Sequence, residues 1–139
     1  MNRKSRILIV DDEVPILLMM EMIFTAAGFK VATARCGDEA IRIAGSQHFD
    51  LFLIDLIMPV RDGIETILAL RARDKKTPII AMSGGWDGGT KSCLPLAEKI
   101  GACGTLAKPF DRKTLLAAVG RELRGCDLSS VGEFAQPAT

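Results

Sequence analysis

Five short apolar runs, spaced so that a stretch of helical periodicity fits after each one, constrain this chain more than any other feature. They cover residues 6–10, 30–34, 50–54, 78–82 and 104–107. Strand-length runs that alternate with helices are the pattern of βα units, which assemble into a parallel sheet. The first, third and fourth runs are almost continuously apolar, as a strand must be when both of its faces are covered. These three are therefore expected at the centre of the sheet.

The intervening segments carry helix signals. A first helix is expected over residues 14–27, with Asp12 or Glu13 near its start, Pro15 in the first turn and Gly28 as a left-handed stop. A second runs from Gly37-Asp38 to about Ala44, where Gly45 and Ser46 end it. A third spans residues 63–73, with Ile64, Ile67, Leu68 and Leu70 as its apolar face. A fourth, over residues 92–100, contains Pro95, which suits a helix start better than an interior. A fifth follows Asp111 as N-cap, with Leu115, Leu116, Val119 and Leu123 at helical spacing.

At 139 residues the chain is the size of one ordinary domain, large enough to bury a core without metals or disulfides. Periodicity is lost after Arg124, so residues 125–139 read as a tail without an output domain. A net charge of +1 gives no general reason to expect nucleic acid. Cys36, Cys93, Cys103 and Cys126 lack C-x-x-C spacing, and His48 is the sole histidine. A zinc site and a disulfide framework are thus disfavoured, and reduced thiols in a cytoplasm are expected. His48 itself reads as a surface residue after the second helix. The basic opening is followed by too few apolar residues for a signal peptide, and no run reaches membrane-spanning length.

Chemistry collects where the runs end. The first runs into Asp11-Asp12-Glu13, the third into Asp55, the fourth into Ser83 and a glycine-rich loop, and the fifth into Lys108-Pro109-Phe110. In open α/β sheets ligands bind at the carboxyl ends of the strands. Carboxylates, a hydroxyl and an ammonium would therefore meet at one edge. A carboxylate can attack a phosphoryl group to give an acyl phosphate, but acids alone would repel the charge that develops. Mg²⁺ resolves the conflict, because it accepts oxygen ligands from one or two carboxylates and from a phosphate. Asp12 and Asp55 are the expected direct ligands, with Asp11 close by. Lys108 and the Ser83 hydroxyl would stabilise further phosphoryl oxygens, leaving Asp55 as the one group asked to form a bond.

The stretches Ile-Leu-Ile-Val-Asp-Asp-Glu, Asp-Leu-Phe-Leu-Ile-Asp-Leu-Ile-Met-Pro-Val-Arg-Asp-Gly and Lys-Pro-Phe resemble the receiver domain of two-component response regulators, the CheY-like family. The resemblance covers about residues 6–124, so residues 1–124 are read as the receiver. It implies a flavodoxin-like, doubly wound, five-stranded parallel sheet in the order 2-1-3-4-5 with five helices. It further implies that Asp55 is phosphorylated by a histidine kinase or a histidine phosphotransfer protein, and that Asp11, Asp12, Asp55 and the backbone carbonyl of Ile57 hold Mg²⁺. Ser83 and Lys108 match the groups that sense the phosphoryl, and a cis Lys108–Pro109 bond is implied as well. Family members signal to a downstream protein through the helix 4, strand 5 and helix 5 face. The aromatic residue that usually accompanies the switching hydroxyl is replaced here by Thr105, and the chain has no tyrosine. The expected switch therefore involves Ser83, Thr105 and the glycine-rich loop around Trp86.

The expected function is that of a phosphoacceptor in a phosphorelay that regulates a partner protein. It is not an enzyme beyond assisting its own phosphorylation and dephosphorylation, and direct binding of nucleic acid or membrane is not expected. A receiver module of a larger hybrid kinase or regulator and an unphosphorylated receiver-fold scaffold are the alternatives, and homodimerisation is left open. A phosphohydrolase with an aspartyl nucleophile is disfavoured, because the paired Asp-x-Asp of that chemistry is absent at Asp55-Leu56-Ile57. The first helix holds more apolar residues than one face can bury, so Val14, Leu18 and Met22 are expected to remain outside as a docking patch for the kinase.

Overall fold

The computed structural model describes residues 4–57, 63–84 and 93–125. Within them the five apolar runs form β1 (Arg6–Val10), β2 (Lys30–Ala34), β3 (Leu51–Asp55), β4 (Ile79–Gly84) and β5 (Gly104–Lys108). The helices α1 (Val14–Ala26), α2 (Gly37–Ser46), α3 (Gly63–Arg73), α4 (Cys93–Ile100) and α5 (Arg112–Gly125) alternate with them. All strand pairs are parallel and the sheet order is β2-β1-β3-β4-β5, so the three most apolar strands are indeed the central ones.

Side chains on successive strand residues point to opposite faces, and the core divides accordingly. Leu8, Val10, Phe52, Ile54, Ile79 and Ala81 pack with Ala40 of α2, Ile67 and Leu70 of α3 and Ala97 of α4. Ile7, Ile9, Leu51, Leu53, Ile80 and Met82 pack instead with Leu17, Met20 and Phe24 of α1 and with Leu115, Ala118 and Val119 of α5. The sheet is thus sandwiched between a pair of helices and a set of three.

Helix boundaries follow local chemistry. Glu13 at the head of α1 makes no side-chain cap, and Pro15 in the first turn needs no amide partner. Gly28 follows α1 at φ +99, the left-handed conformation that favours glycine. Asp111 caps α5 by accepting a hydrogen bond from the Thr114 N–H at 2.8 Å. Arg71 of α3 donates to the carbonyls of Asp74, Thr77 and Gly101, tying the ends of α3 and α4 to the entry of β4.

Some sequence expectations shift. β4 runs on through Ser83 to Gly84 and β5 includes Lys108, because each pairs with the other at this end (Ser83 with Ala107, Gly84 with Lys108). Leu68 is exposed, not part of the α3 core face, since Ile67 and Leu70 already occupy the side turned to the sheet. Pro95 falls within the first turn of α4. Residues 58–62, 85–92 and 126–139, which include Trp86, Ser92 and nearly all of the expected tail, lie outside the described residues.

On α1, Leu17, Met20 and Phe24 are buried while Val14, Leu18, Met19 and Met22 are exposed. The division gives a test of the core assignment. Phe24→Ala is expected to cost about 3–5 kcal/mol in urea unfolding, whereas Met22→Ala, at a position 71% exposed, should stay within about 0.5 kcal/mol of the native protein.

Candidate functional site

Three strands deliver the site. Asp11 follows the last residue of β1, and its backbone N–H reaches the Ala34 carbonyl of β2 at 3.1 Å, which holds it in line with the sheet. Asp55 is the last residue of β3 and pairs in register with Met82 of β4, while Lys108 closes β5 opposite Gly84. Because the strands are parallel and nearly in step, all of these residues emerge at the same edge.

Asp11 is fully buried, Asp55 is 4% exposed and Asp12 is half-buried. One carboxylate oxygen from each of the three lies within 4.8 Å of the others. Lys108 is the counterweight: its Nζ is 2.7 Å from Asp11 Oδ2, 3.6 Å from Asp55 Oδ2 and 3.9 Å from Glu13 Oε1. The second oxygens of Asp11 and Asp55 are held by backbone. Asp11 Oδ1 accepts from the Glu13 N–H at 3.0 Å, and Asp55 Oδ1 accepts from the Ile57 N–H at 3.4 Å.

Burial pushes the Asp55 carboxyl up from 3.8 to about 7, with the neighbouring Asp11 charge adding to the rise and Lys108 opposing it. Burial also works against the Lys108 ammonium, but the hydrogen bond to Asp11 and the charges of Asp55, Asp11 and Glu13 outweigh it, so its pKa is raised. The acids crowd one another more than a single ammonium can relieve. Hard oxygen donors at this spacing suit a hard divalent cation. Among the described residues, Asp11, Asp12 and Asp55 form the one group of three or more such side chains placed to hold a metal ion.

The structure therefore brings Asp11, Asp12, Asp55 and Lys108 together. Ser83, 2% exposed on β4, follows the Met82 that pairs with Asp55. Thr105 lies further back on β5, half-buried and paired with Ala81. Ile57, which follows Asp55 by two residues, is 52% exposed. His48 is apart from the site, on the surface beside Asp50 at 3.2 Å. The Lys108–Pro109 peptide bond is cis. Two features escaped the sequence reading. Glu13, taken only as a helix-start acid, also reaches Lys108, and Gly63 packs against the backbone of Asp55. The Asp-Asp-Glu triplet was a visible signal for the first, whereas nothing in the sequence states how closely α3 approaches β3.

The chain belongs to the response regulator receiver family, whose domain model matches residues 7–120. It is 36% identical over 119 residues to the transcriptional regulatory protein PrrA of Mycobacterium tuberculosis, covering 86% of this chain and 50% of that protein. It thus spans about half the length of such curated relatives. Among solved structures, the chemotaxis protein CheY4 of Vibrio cholerae matches with a TM-score of 0.79 and 34% identity, over 86% of this chain and 99% of that one. The receiver domain of the sensor histidine kinase PA1611 from Pseudomonas aeruginosa, solved with a magnesium ion coordinated in its active-site cleft, matches with a TM-score of 0.77 and 30% identity, over 87% and 98%. The architecture expected from the sequence, a CheY-like parallel sheet in the order 2-1-3-4-5, is the one observed.

A carboxyl whose pKa is raised on folding retains its proton longer in the folded chain, so in the metal-free protein the contribution of Asp55 to stability falls as pH rises from about 4 through about 7. Removing the charge should reverse this. Urea unfolding in the presence of a chelator is expected to show Asp55→Asn more stable than native at pH 8, by on the order of 2–4 kcal/mol, with the difference vanishing near pH 4.

Proposed function

We propose that the chain is a phosphoacceptor of a two-component phosphorelay in which Asp55 receives the phosphoryl group. The observation that carries this reading is a nearly buried carboxylate at a strand end, flanked by two further acids and by one lysine within ion-pair reach of both Asp11 and Asp55. A structural role alone would not call for such a costly concentration of like charge.

In the proposed reaction an Asp55 carboxylate oxygen attacks the phosphorus of a phosphohistidine on a kinase or histidine phosphotransfer protein. The new P–O bond forms as the P–N bond breaks, the imidazole nitrogen leaves and takes up a proton, and Asp55 carries an acyl phosphate. Asp11, Asp12, Asp55 and the Ile57 carbonyl are the groups that would hold Mg²⁺, which when bound supplies positive charge to the phosphoryl oxygens. Lys108, already poised between Asp11 and Asp55, donates to another phosphoryl oxygen and exchanges part of its pairing with Asp11 for the new anion. Ser83 donates to a third. Hydrolysis of the acyl phosphate by water restores the Asp55 carboxylate, so the chain assists its own phosphorylation and dephosphorylation without turning over another substrate.

Phosphorylation would be read out at the α4, β5 and α5 face by a downstream protein. Thr105 in place of an aromatic side chain leaves Ser83 as the group that would move. The exposed Val14, Leu18 and Met22 of α1, the helix that begins two residues after Asp12, give the phosphodonor's helices an apolar surface to pack on. No helix among the described residues is long and apolar enough to cross a membrane, and the four cysteines carry no disulfide-framework spacing, which supports a cytoplasmic location. Since the curated relatives are about twice as long, the same chemistry would serve equally as the input module of a longer regulator.

Incubation with acetyl phosphate and Mg²⁺ followed by intact-mass measurement tests the reading. One added phosphoryl group is expected on the native chain and none on Asp55→Asn or in the presence of a chelator. No mass gain on the native chain, or a gain retained in Asp55→Asn, contradicts it.

A further inference from the structure

Gly63 is buried at the first position of α3, and its N–H donates to the Leu56 carbonyl at 3.0 Å. Among the described residues the positive-φ glycines are Gly28 and Gly101, not Gly63, so backbone conformation does not explain why glycine stands there. Space does. A Cβ at Gly63 would fall 2.5 Å from Leu56 Cα and 2.9 Å from the Asp55 carbonyl carbon, and would overlap the Asp55 carbonyl oxygen. These are backbone atoms of the segment that carries the phosphoacceptor, and they cannot swing aside as a side chain would.

We propose that Gly63 is a positioning residue, whose missing side chain lets α3 abut the Asp55–Leu56 peptide and thereby sets where the Asp55 carboxylate and the Ile57 backbone stand relative to Asp11 and Asp12. The proposal rests on the phosphoacceptor reading above. A methyl group at this position must push either α3 outward or the Asp55–Ile57 segment toward the acids. Leu56 is buried and its N–H is bonded to the Met82 carbonyl of β4 at 2.9 Å, so that segment is held from the far side as well. Displacements of about an ångström at a reacting group are enough to lose catalysis by orders of magnitude.

Gly120 supplies a matched control. It lies in α5, where an added Cβ would meet the flexible tip of Arg124 at 3.2 Å, and alanine there gains helix propensity. Native protein, Gly63→Ala, Gly120→Ala and the double variant, which carries the stabilising change as a background, are compared by urea unfolding, by calorimetric titration with Mg²⁺ and by the rate of mass gain with acetyl phosphate. Gly63→Ala, alone or in that background, is expected to unfold cooperatively yet bind Mg²⁺ about tenfold or more weakly and phosphorylate more slowly by a similar factor. Gly120→Ala should match the native chain in both. A folded Gly63→Ala whose Mg²⁺ affinity stays within about twofold of native overturns the proposal, as does loss of cooperative unfolding in both Gly63 variants, which would assign the glycine to the fold alone. Should the native chain take up no phosphoryl group, the phosphoacceptor reading fails, while the Mg²⁺ titrations still decide what Gly63 does.

Discussion

Crowded like charge at one edge of the sheet is the constraint on which the rest of the molecule depends. Carboxylate oxygens within 4.8 Å of one another repel by on the order of 3 kcal/mol per pair at the effective dielectric of a protein, and burial of Asp11 and Asp55 adds to that cost. Two devices keep the arrangement tolerable. Lys108 pairs with both buried acids, and Asp55 takes up a proton at a pH far above the ordinary carboxylate range. On the proposed phosphoacceptor reading, both are what a bound cation and a phosphoryl group would replace. The charge crowding that is costly by itself would then be the feature that favours those ligands.

Holding such a site requires a frame that does not relax. The frame is the register of four neighbouring strands, with Val10 paired to Ile54, Asp55 to Met82 and Gly84 to Lys108. Each of the central strands is locked from both faces, Leu8 and Val10 into one apolar layer and Ile7 and Ile9 into the other. Slippage by one residue would turn every one of these side chains to the wrong layer. The same register that buries the core thus determines the separation of Asp11, Asp55 and Lys108, which are 44 residues or more apart in the chain.

Much of this was readable from the sequence because it depends on period and on end residues. Apolar continuity in β1, β3 and β4 marked the central strands, Gly28 and Asp111 marked helix ends, and the acids and lysine stood where strands stop. Where the reading slipped, tertiary contact had decided the outcome. Ser83 and Gly84 extend β4 because β5 is there to pair with them. Leu68 stays exposed although its spacing suits a core position, since Ile64, Ile67 and Leu70 already fill the side of α3 turned to the sheet. The reach of Glu13 to Lys108 and the contact of Gly63 with Asp55 are distances between segments, and a one-dimensional pattern does not contain them.

The most direct measurement is a carbon NMR titration of the aspartate side-chain carboxyls, with the Asp55 resonance identified by its loss in Asp55→Asn. In metal-free protein the Asp55 carboxyl is expected to titrate near 7, and saturating Mg²⁺ should move that midpoint down by stabilising the carboxylate. An Asp55 midpoint near the ordinary carboxylate value, unmoved by Mg²⁺, would mean that the acids do not share one buried, cation-ready cavity.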